Sequence, residues 1–193
     1  MTMPRGEAHA ELQQVAEVAS TCTLCRLSEG RTQVVFGMGD PEAALMFIGE
    51  GPGEQEDRQG LPFVGRSGQL LDRLLLEELG ITRDRVYIAN VVKCRPPANR
   101  DPKPDEIAAC RPYLERQLDL IRPAVVVTLG RFAAQSLLDT TEGITRLRGN
   151  WKTYRGIPLM PTFHPAYLLR NPSAKREVWE DMKKVRAILQ AEA

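Results

Sequence analysis

The chain has 193 residues, of which 42% are hydrophobic and 26% are charged, and its formal net charge is +1. This composition is typical of one globular domain with a full core, and it excludes a disordered chain. No apolar run approaches the roughly 18 residues of a membrane span, so we expect no membrane partner. We expect a single domain over residues 1–193, with a flexible polar tail at 1–10 and no signal peptide.

Four short apolar runs are predicted to form buried parallel strands, and helical patterns separate them. The runs lie at residues 44–49, 86–92, 124–130 and 157–163. The helical patterns lie at residues 11–19, 68–79, 105–121, 131–138 and 175–191. This alternation predicts an α/β fold with a mainly parallel sheet, and such sheets bind ligands at the carboxyl ends of their strands.

The four cysteines form a close pair, Cys22 and Cys25, and a wider pair, Cys94 and Cys110, with fifteen residues between them. Two cysteines separated by two residues can hold a metal from a tight turn, and thiolates are ligands of zinc and of iron–sulfur clusters. Two disulfides or four unliganded thiols are the alternatives, although disulfides require an oxidising compartment. The pattern favours one four-thiolate metal site, and by itself it does not choose between zinc and a [4Fe–4S] cluster.

Segments with chemically capable residues follow the predicted strands. A glycine-rich stretch, residues 49–54, follows the first strand, Asn90 lies at the end of the second, and residues 164–172 follow the fourth. The chain has two histidines, and since His9 lies in the expected tail, a mechanism that needs an imidazole uses His164. A structural histidine is the alternative. The glycine-rich stretch lacks the ending of a phosphate loop, and no G-x-S-x-G motif indicates a serine hydrolase.

Four separated motifs stand out along the chain. They are GEGPGEQED at 49–57, GLPFVGRSGQLLD at 60–72, VYIANVVKCRPPANRDPKPDEIAACRPYL at 86–114 and HPAYLLRNP at 164–172. In this order, and together with the cysteine spacing, they closely resemble the family 4 uracil-DNA glycosylases, the iron–sulfur branch of that superfamily. The resemblance covers residues 20–172.

The resemblance implies a three-layer α/β/α sandwich with a central four-stranded parallel sheet. It implies a [4Fe–4S] cluster on Cys22, Cys25, Cys94 and Cys110. The implied activity is hydrolysis of the N-glycosidic bond of uracil in duplex and single-stranded DNA, which leaves an abasic site and involves no lyase step. We expect such an enzyme to act as a monomer in the reducing environment of the cytoplasm.

The resemblance also assigns roles to single residues. The amide of Asn90 offers a donor and an acceptor that match uracil O4 and N3–H. Phe63 stacks on the base, with a plain core aromatic as the alternative. His164 donates a hydrogen bond to uracil O2, where it stabilises the negative charge that accumulates on the departing base.

The attacking water and the DNA strand involve two further groups of residues. Glu50, Gly51 and Pro52 are expected to contact uracil and to hold the water through main-chain groups, with Glu50 the nearest candidate base. Superfamily members outside this branch place an aspartate at the position of Gly51. Leu168 or Leu169 is expected to fill the space of the flipped base, and Arg170 to meet a phosphate; leucines of an ordinary helix are the alternative.

Three competing interpretations have separate discriminating features. A related branch becomes trapped covalently through a histidine, but no histidine lies between Cys94 and Cys110. A DNA-binding module without activity is opposed by the presence of Asn90, Phe63 and His164 together. A structural zinc site would give colourless protein. For a cluster, the placement of the cysteines favours a structural role, holding the loop between Cys94 and Cys110 against DNA, over a redox role.

Overall fold

The computed structural model describes residues 5–191 and contains a mixed six-stranded sheet with helices on both faces. The strands are β1 (Met38–Gly39), β2 (Leu45–Gly49), β3 (Tyr87–Asn90), β4 (Val125–Leu129), β5 (Lys152–Tyr154) and β6 (Ile157–Thr162). The helices are α1 (Arg5–Ser20), α2 (Leu27–Gly30), α3 (Glu54–Gln59), α4 (Arg66–Leu74), α5 (Pro104–Ile121), α6 (Arg131–Leu138), α7 (Ile144–Leu147), α8 (Pro165–Arg170) and α9 (Lys175–Ala191).

The strand order is β1-β3-β2-β4-β6-β5, and the inner four strands are parallel. This confirms the predicted parallel core. The two outer strands, β1 and β5, pair antiparallel with β3 and β6 and were not predicted. Both are only two or three residues long and neither is an apolar run, so they carried no hydrophobic signal.

Alternating strand residues divide the core between the two faces of the sheet. Met46 and Ile48 pack against α1, α5 and α6, whereas Leu45 and Phe47 pack against α4, α8 and α9. Because the strands are buried on both sides, their sequences are apolar throughout rather than alternating. The architecture is therefore the three-layer α/β/α sandwich expected from the sequence.

The N-terminal helix is longer than the predicted segment 11–19. Because Ala8 and Leu12 are buried against α5, α1 extends back to Arg5 and includes His9. The expected tail at 1–10 is thus helical from residue 5, and residues 1–4 lie outside the described part of the chain. The predicted helix 68–79 corresponds to α4 and a following π-helical turn (Leu75–Leu79).

The parallel strands end in register at one edge of the sheet. Gly49 of β2 pairs with Asn90 of β3, and Leu129 of β4 pairs with Thr162 of β6. The segments that follow these residues therefore share one edge, as the sequence pattern predicted. None of the helices between residues 5 and 191 has the length and apolar character needed to cross a membrane.

Candidate active site

A cleft of about 510 Å³ lies at the carboxyl edge of the parallel strands. Seven of the residues singled out from the sequence line this cleft, and together they represent all four of the sequence motifs. They are Glu50, Gly51, Pro52, Phe63, Asn90, His164 and Arg170. The chain folds these separated motifs onto one edge because β2, β3, β4 and β6 end together. Leu168 and Leu169 do not line the cleft.

Asn90 presents an unpaired amide oxygen at the end of β3. The residue is 2% exposed, and among the described residues its Oδ1 is one of two buried side-chain atoms without a hydrogen-bond partner. The other, Thr128 Oγ1, does not line the cleft. An unsatisfied buried acceptor is costly, and at a cleft wall this oxygen is available to a donor from a ligand.

Gly49 leaves the room in front of this amide. A Cβ atom at Gly49 would lie 2.5 Å from Asn90 Oδ1 and 2.7 Å from Phe63 Cζ. Both distances are too short for any larger residue. The last residue of β2 therefore has to be glycine if the amide and the aromatic ring are both to face the cleft.

Phe63 reaches the cleft from the loop between α3 and α4 with an unusual backbone. Its φ of 51° lies in the left-handed region, which costs a bulky residue about 1–3 kcal/mol. The ring is buried beside His164, with 5.6 Å between the ring centroids. The surrounding structure therefore holds the ring in a position that the backbone alone disfavours.

His164 is the N-cap of α8, and this contact determines its tautomer. Its Nδ1 accepts a hydrogen bond from the Ala166 amide at 3.0 Å, so the ring proton of the neutral imidazole resides on Nε2. Burial, with a smaller contribution from Arg170, lowers the pKa of His164 to about 4. The side chain is consequently a neutral donor across the physiological pH range.

Glu50 lies in an acidic part of the cleft wall. Burial and the neighbouring Asp101 carboxylate, which shares a side-chain hydrogen bond with it, raise the pKa of Glu50 to about 7, while Arg131 opposes the rise. Arg131 Nη2 is also 3.6 Å from Asp101 Oδ2. A carboxyl with a pKa near neutrality can accept a proton from water, which keeps Glu50 a candidate base.

The two leucines after His164 occupy different environments. Leu168 is 3% exposed and packs in the core beneath α8, so it is not free to enter a DNA stack without unpacking that core. Leu169 is 39% exposed and Arg170 is also at the surface. Of the two leucines expected to fill the space of the flipped base, only Leu169 is exposed enough to enter DNA.

The four cysteines line one small cavity beside α1 and α5, and none of them is paired in a disulfide. Arg31 Nη1 donates to Cys94 Sγ at 3.3 Å, and the Lys93 amide donates to Cys110 Sγ at 3.3 Å. Across residues 5–191, no three His, Cys, Asp or Glu side chains converge closely enough to hold a single metal ion.

Lys93 connects this cavity to the cleft. The side chain is only 1% exposed, and its Nζ donates to the Asn90 carbonyl oxygen at 2.9 Å and to Gln117 Oε1 at 2.5 Å. Burial lowers the pKa of Lys93 to about 7. A lysine so completely buried is rare, and here it ties the main chain of Asn90 to α5.

Several residues that line the cleft were not found from the sequence: Ser67, Arg100, Asp101 and Arg131. Arg131 follows Gly130 at the end of β4, so the rule that strand ends carry the site could have indicated it. Gly130 has a φ of +93°, and a Cβ there would lie 2.9 Å from His164 Cβ. Ser67 lies in the first turn of α4, and Arg100 and Asp101 lie in a loop whose path the sequence pattern does not give.

Comparison with known proteins identifies the family of this chain. A family model described as the Uracil DNA glycosylase superfamily matches residues 36–183. The chain therefore belongs to the uracil-DNA glycosylase superfamily.

Similarity to individual proteins narrows the assignment. The type-4 uracil-DNA glycosylase of Thermotoga maritima is 48% identical over 187 residues, which cover 94% of this chain and 96% of the relative. The one from Sulfurisphaera tokodaii is 46% identical, covering 92% and 84%. A type-5 enzyme of Thermus thermophilus is 36% identical over only 54% of this chain and 53% of its own length. Within the superfamily, the chain belongs to the type-4 branch.

Proposed function

We propose that this type-4 uracil-DNA glycosylase reads a flipped-out uracil with Asn90, stacks the base on Phe63 and releases it as an anion stabilised by His164. The observation that carries this proposal is the unpaired, buried Oδ1 of Asn90 at the cleft wall. Uracil N3–H is a donor of the kind that this oxygen lacks, and uracil O4 accepts from the Asn90 amide nitrogen.

The same amide explains why cytosine is rejected. Cytosine carries an acceptor at N3 and a donor at its 4-position, so both contacts with Asn90 would be reversed. A buried site that leaves its polar groups unpaired discriminates by about 10⁴-fold or more. The neighbouring Lys93 and Gly49 support this selectivity, because one holds the Asn90 main chain and the other leaves its amide open.

His164 lowers the barrier for bond cleavage by donating from Nε2. As the N-glycosidic bond lengthens, negative charge develops on the base and reaches O2. A hydrogen bond aimed at O2 is stronger to that anion than to neutral uracil, so it stabilises the transition state preferentially. The neutral state of His164 suits this role, because the Nε2 proton forms a hydrogen bond to uracil O2 and does not have to be transferred to the base.

The water that attacks the sugar is held by the segment Glu50, Gly51 and Pro52. Glu50 has a carboxyl whose pKa of about 7 suits a general base. Gly51 has no side chain to contribute, and a Cβ there would lie 2.7 Å from Val92 Cγ2, so the main chain passes close to the end of β3.

The DNA is held and opened by the residues after His164. Leu169 fills the space left by the flipped nucleotide, and Arg170, which lines the cleft rim, contacts a phosphate. Leu168 anchors α8 in the core and positions its neighbours. The substrate is uracil in duplex or single-stranded DNA, and the product is an abasic strand that remains intact until alkali cleaves it.

The four cysteines would hold a [4Fe–4S] cluster, whose chemistry here would be structural. Four thiols lining one cavity supply a donor set suited to it. The same four thiols could also hold zinc, and metal analysis of the purified protein distinguishes the two. N–H groups of Arg31 and Lys93 face the sulfurs.

Such a site would need a reducing compartment, so the free cysteines support a cytoplasmic location. We propose one domain over residues 1–193, acting as a monomer. Sedimentation of the protein with and without uracil-containing DNA would test this state, and a stable dimer would contradict it.

The activity is tested on oligonucleotides with one uracil, followed by alkali, with wild type, Asn90→Ala and His164→Ala. We expect cleavage by wild type and losses of at least about 10²-fold in both variants. A duplicate substrate with thymine in place of uracil is the control. Cluster-loaded wild type that leaves the uracil strand whole would overturn the proposed function.

A further inference from the structure

Three main-chain oxygens around Phe63 face a single guanidinium group. Arg83 Nη1 donates to the Pro62 carbonyl at 2.8 Å. Its Nη2 donates to the Phe63 carbonyl and, at 3.4 Å, to the Gly68 carbonyl. The side chain is largely buried, and its Nε is anchored on Asp72 Oδ1 at 2.7 Å. Arg83 thus joins the loop before α4 to the first turns of that helix.

The conformation held by these bonds is the left-handed one of Phe63. Gly68 in α4 also makes that conformation possible. A Cβ atom at Gly68 would lie 1.7 Å from the Phe63 carbonyl oxygen, so a larger residue would collide with it. The carbonyl can therefore approach α4 only while residue 68 is glycine. A bulky residue with positive φ persists only where its surroundings determine it, and here Arg83 and Gly68 are those surroundings.

We propose that Arg83 is a positioning residue for base recognition, which clamps the Phe63 peptide in its left-handed conformation and so holds the ring against the flipped base. This inference rests on the proposed function, since it assigns Phe63 the stacking role. Arg83 itself contacts neither the cleft nor the base: it does not line the cleft, and the Phe63 ring does.

The clamp requires the geometry of arginine. A guanidinium presents five N–H donors in a rigid plane, so it can bond three carbonyls and a carboxylate at once. A lysine ammonium in the same place is a point charge on a flexible stem and cannot hold all of these acceptors in fixed positions. Arg83 also opens the 3₁₀ turn (Arg83–Arg85) that leads into β3, the strand that ends at Asn90. The segment that begins at Arg83 and continues into β3 therefore holds the Phe63 loop and also carries the Asn90 amide.

Arg83→Lys tests the proposal in single-turnover excision of uracil from a single-stranded oligonucleotide, with and without Phe63→Ala. We expect Arg83→Lys alone to slow excision by about 10²-fold, the scale of a misplaced binding group. In the Phe63→Ala background, where there is no ring to position, the same change should have an effect within about twofold. A merely structural role for Arg83 would give the same loss in both backgrounds.

Gly68→Ala is the second variant, since it displaces the Phe63 carbonyl while Arg83 remains. It should reproduce both the loss and its dependence on Phe63, and alanine at this helical position does not reduce helix propensity. Arg73→Lys, an exposed change on the same helix, is the matched control and should leave the rate unchanged. Thermal melting of every variant reports whether it is folded.

Two results would overturn the inference: an Arg83→Lys protein as fast as wild type, or equal losses with and without Phe63. A crystal structure of Arg83→Lys supplies a readout that does not depend on activity. We expect φ of residue 63 to become negative there, and an unchanged left-handed Phe63 would count against the clamp. Failure of wild type to release uracil would instead contradict the proposed function.

Discussion

Gly49 and Asn90 are register partners at the ends of β2 and β3, and a Cβ on the glycine would lie 2.5 Å from the Asn90 amide oxygen. The backbone of one strand thus leaves open the polar group of the next. The open space beside Asn90 and Phe63 therefore depends on the lack of a side chain at Gly49.

Replacing Gly49 by alanine should close the site. The added methyl group would occupy the space between Asn90 Oδ1 and the Phe63 ring, so we expect single-turnover excision to fall at least about 10²-fold. Gly143→Ala is the matched control, since a Cβ at Gly143 meets nothing within 4 Å. Normal activity of Gly49→Ala would show that the base does not enter between these two groups.

The rate of excision should depend on pH through Glu50. Because its pKa is raised to about 7, the carboxyl is protonated below that pH, and a base at this position gives a rate that rises as pH increases through 7. Glu50→Gln should abolish this rise, whereas Glu54→Gln, at an exposed position of α3, should retain it. A Glu50→Gln protein with near-full activity and an unchanged profile would exclude Glu50 as the base.

The same carboxyl should also affect the pH dependence of stability. Its folded pKa of about 7 lies above the ordinary value of 4.5, so the folded state binds the extra proton between these two values. This contribution to stability is fully present below pH 4.5 and is lost as pH rises through 7. Denaturant unfolding of wild type and Glu50→Gln should therefore show a difference that changes in this interval, and a constant difference would contradict the assignment.

Protonation of His164 should not lower the excision rate near pH 6.5, the ordinary pKa of histidine. Burial and Arg170 lower its pKa to about 4, so the imidazole remains neutral down to that pH. In Glu50→Gln, the pH dependence that arises from Glu50 is removed. The excision rate of this variant should then be constant between about pH 5 and 8. A fall centred near pH 6.5 in that variant would show that His164 is protonated in the working enzyme's normal range.

The two leucines of α8 should separate insertion from packing. Leu169→Ala should reduce excision from duplex more than from single-stranded DNA, because only the duplex has a stack to fill. Leu168→Ala should lower the free energy of unfolding by about 2–5 kcal/mol, since it empties a buried site, and should affect both substrates alike. Equal losses on the two substrates for Leu169→Ala would rule out its insertion.

Loss of the metal should weaken the fold and DNA binding together. The cysteines link the chain after α1 to the segment that follows β3 and to α5, so chelation should lower the melting temperature and the affinity for uracil-containing DNA. Iron and sulfide analysis of anaerobically prepared protein checks the identity of the metal. Colourless protein with zinc and no iron would favour a zinc site, and unchanged melting of the apoprotein would refute the structural role.

The parallel core was predictable because burial on both faces makes its strands nearly pure apolar runs. The edge strands were not, since Met38–Gly39 and Lys152–Tyr154 are defined by pairing and not by composition. Likewise, the motifs indicated Asn90, Phe63 and His164, but not the contacts that orient them. Arg83 reaches the Phe63 loop across twenty positions of sequence, and no periodicity records such a contact.

The difference between Leu168 and Leu169 shows the same limit. Both fit the segment after His164, and only the direction in which α8 packs shows that one is in the core and the other at the surface. The sequence pattern did not predict α8 as a helix, and the rotation of this helix about its own axis depends on tertiary contacts with α4.

The N-cap bond between His164 and Ala166 has a consequence for repeated turnover. An imidazole oriented by a peptide N–H, and not by a carboxylate, has little tendency to become charged, so in the proposed mechanism His164 donates a hydrogen bond without giving up its proton. Under that proposal, His164 needs no proton from solvent between the release of one uracil and the binding of the next.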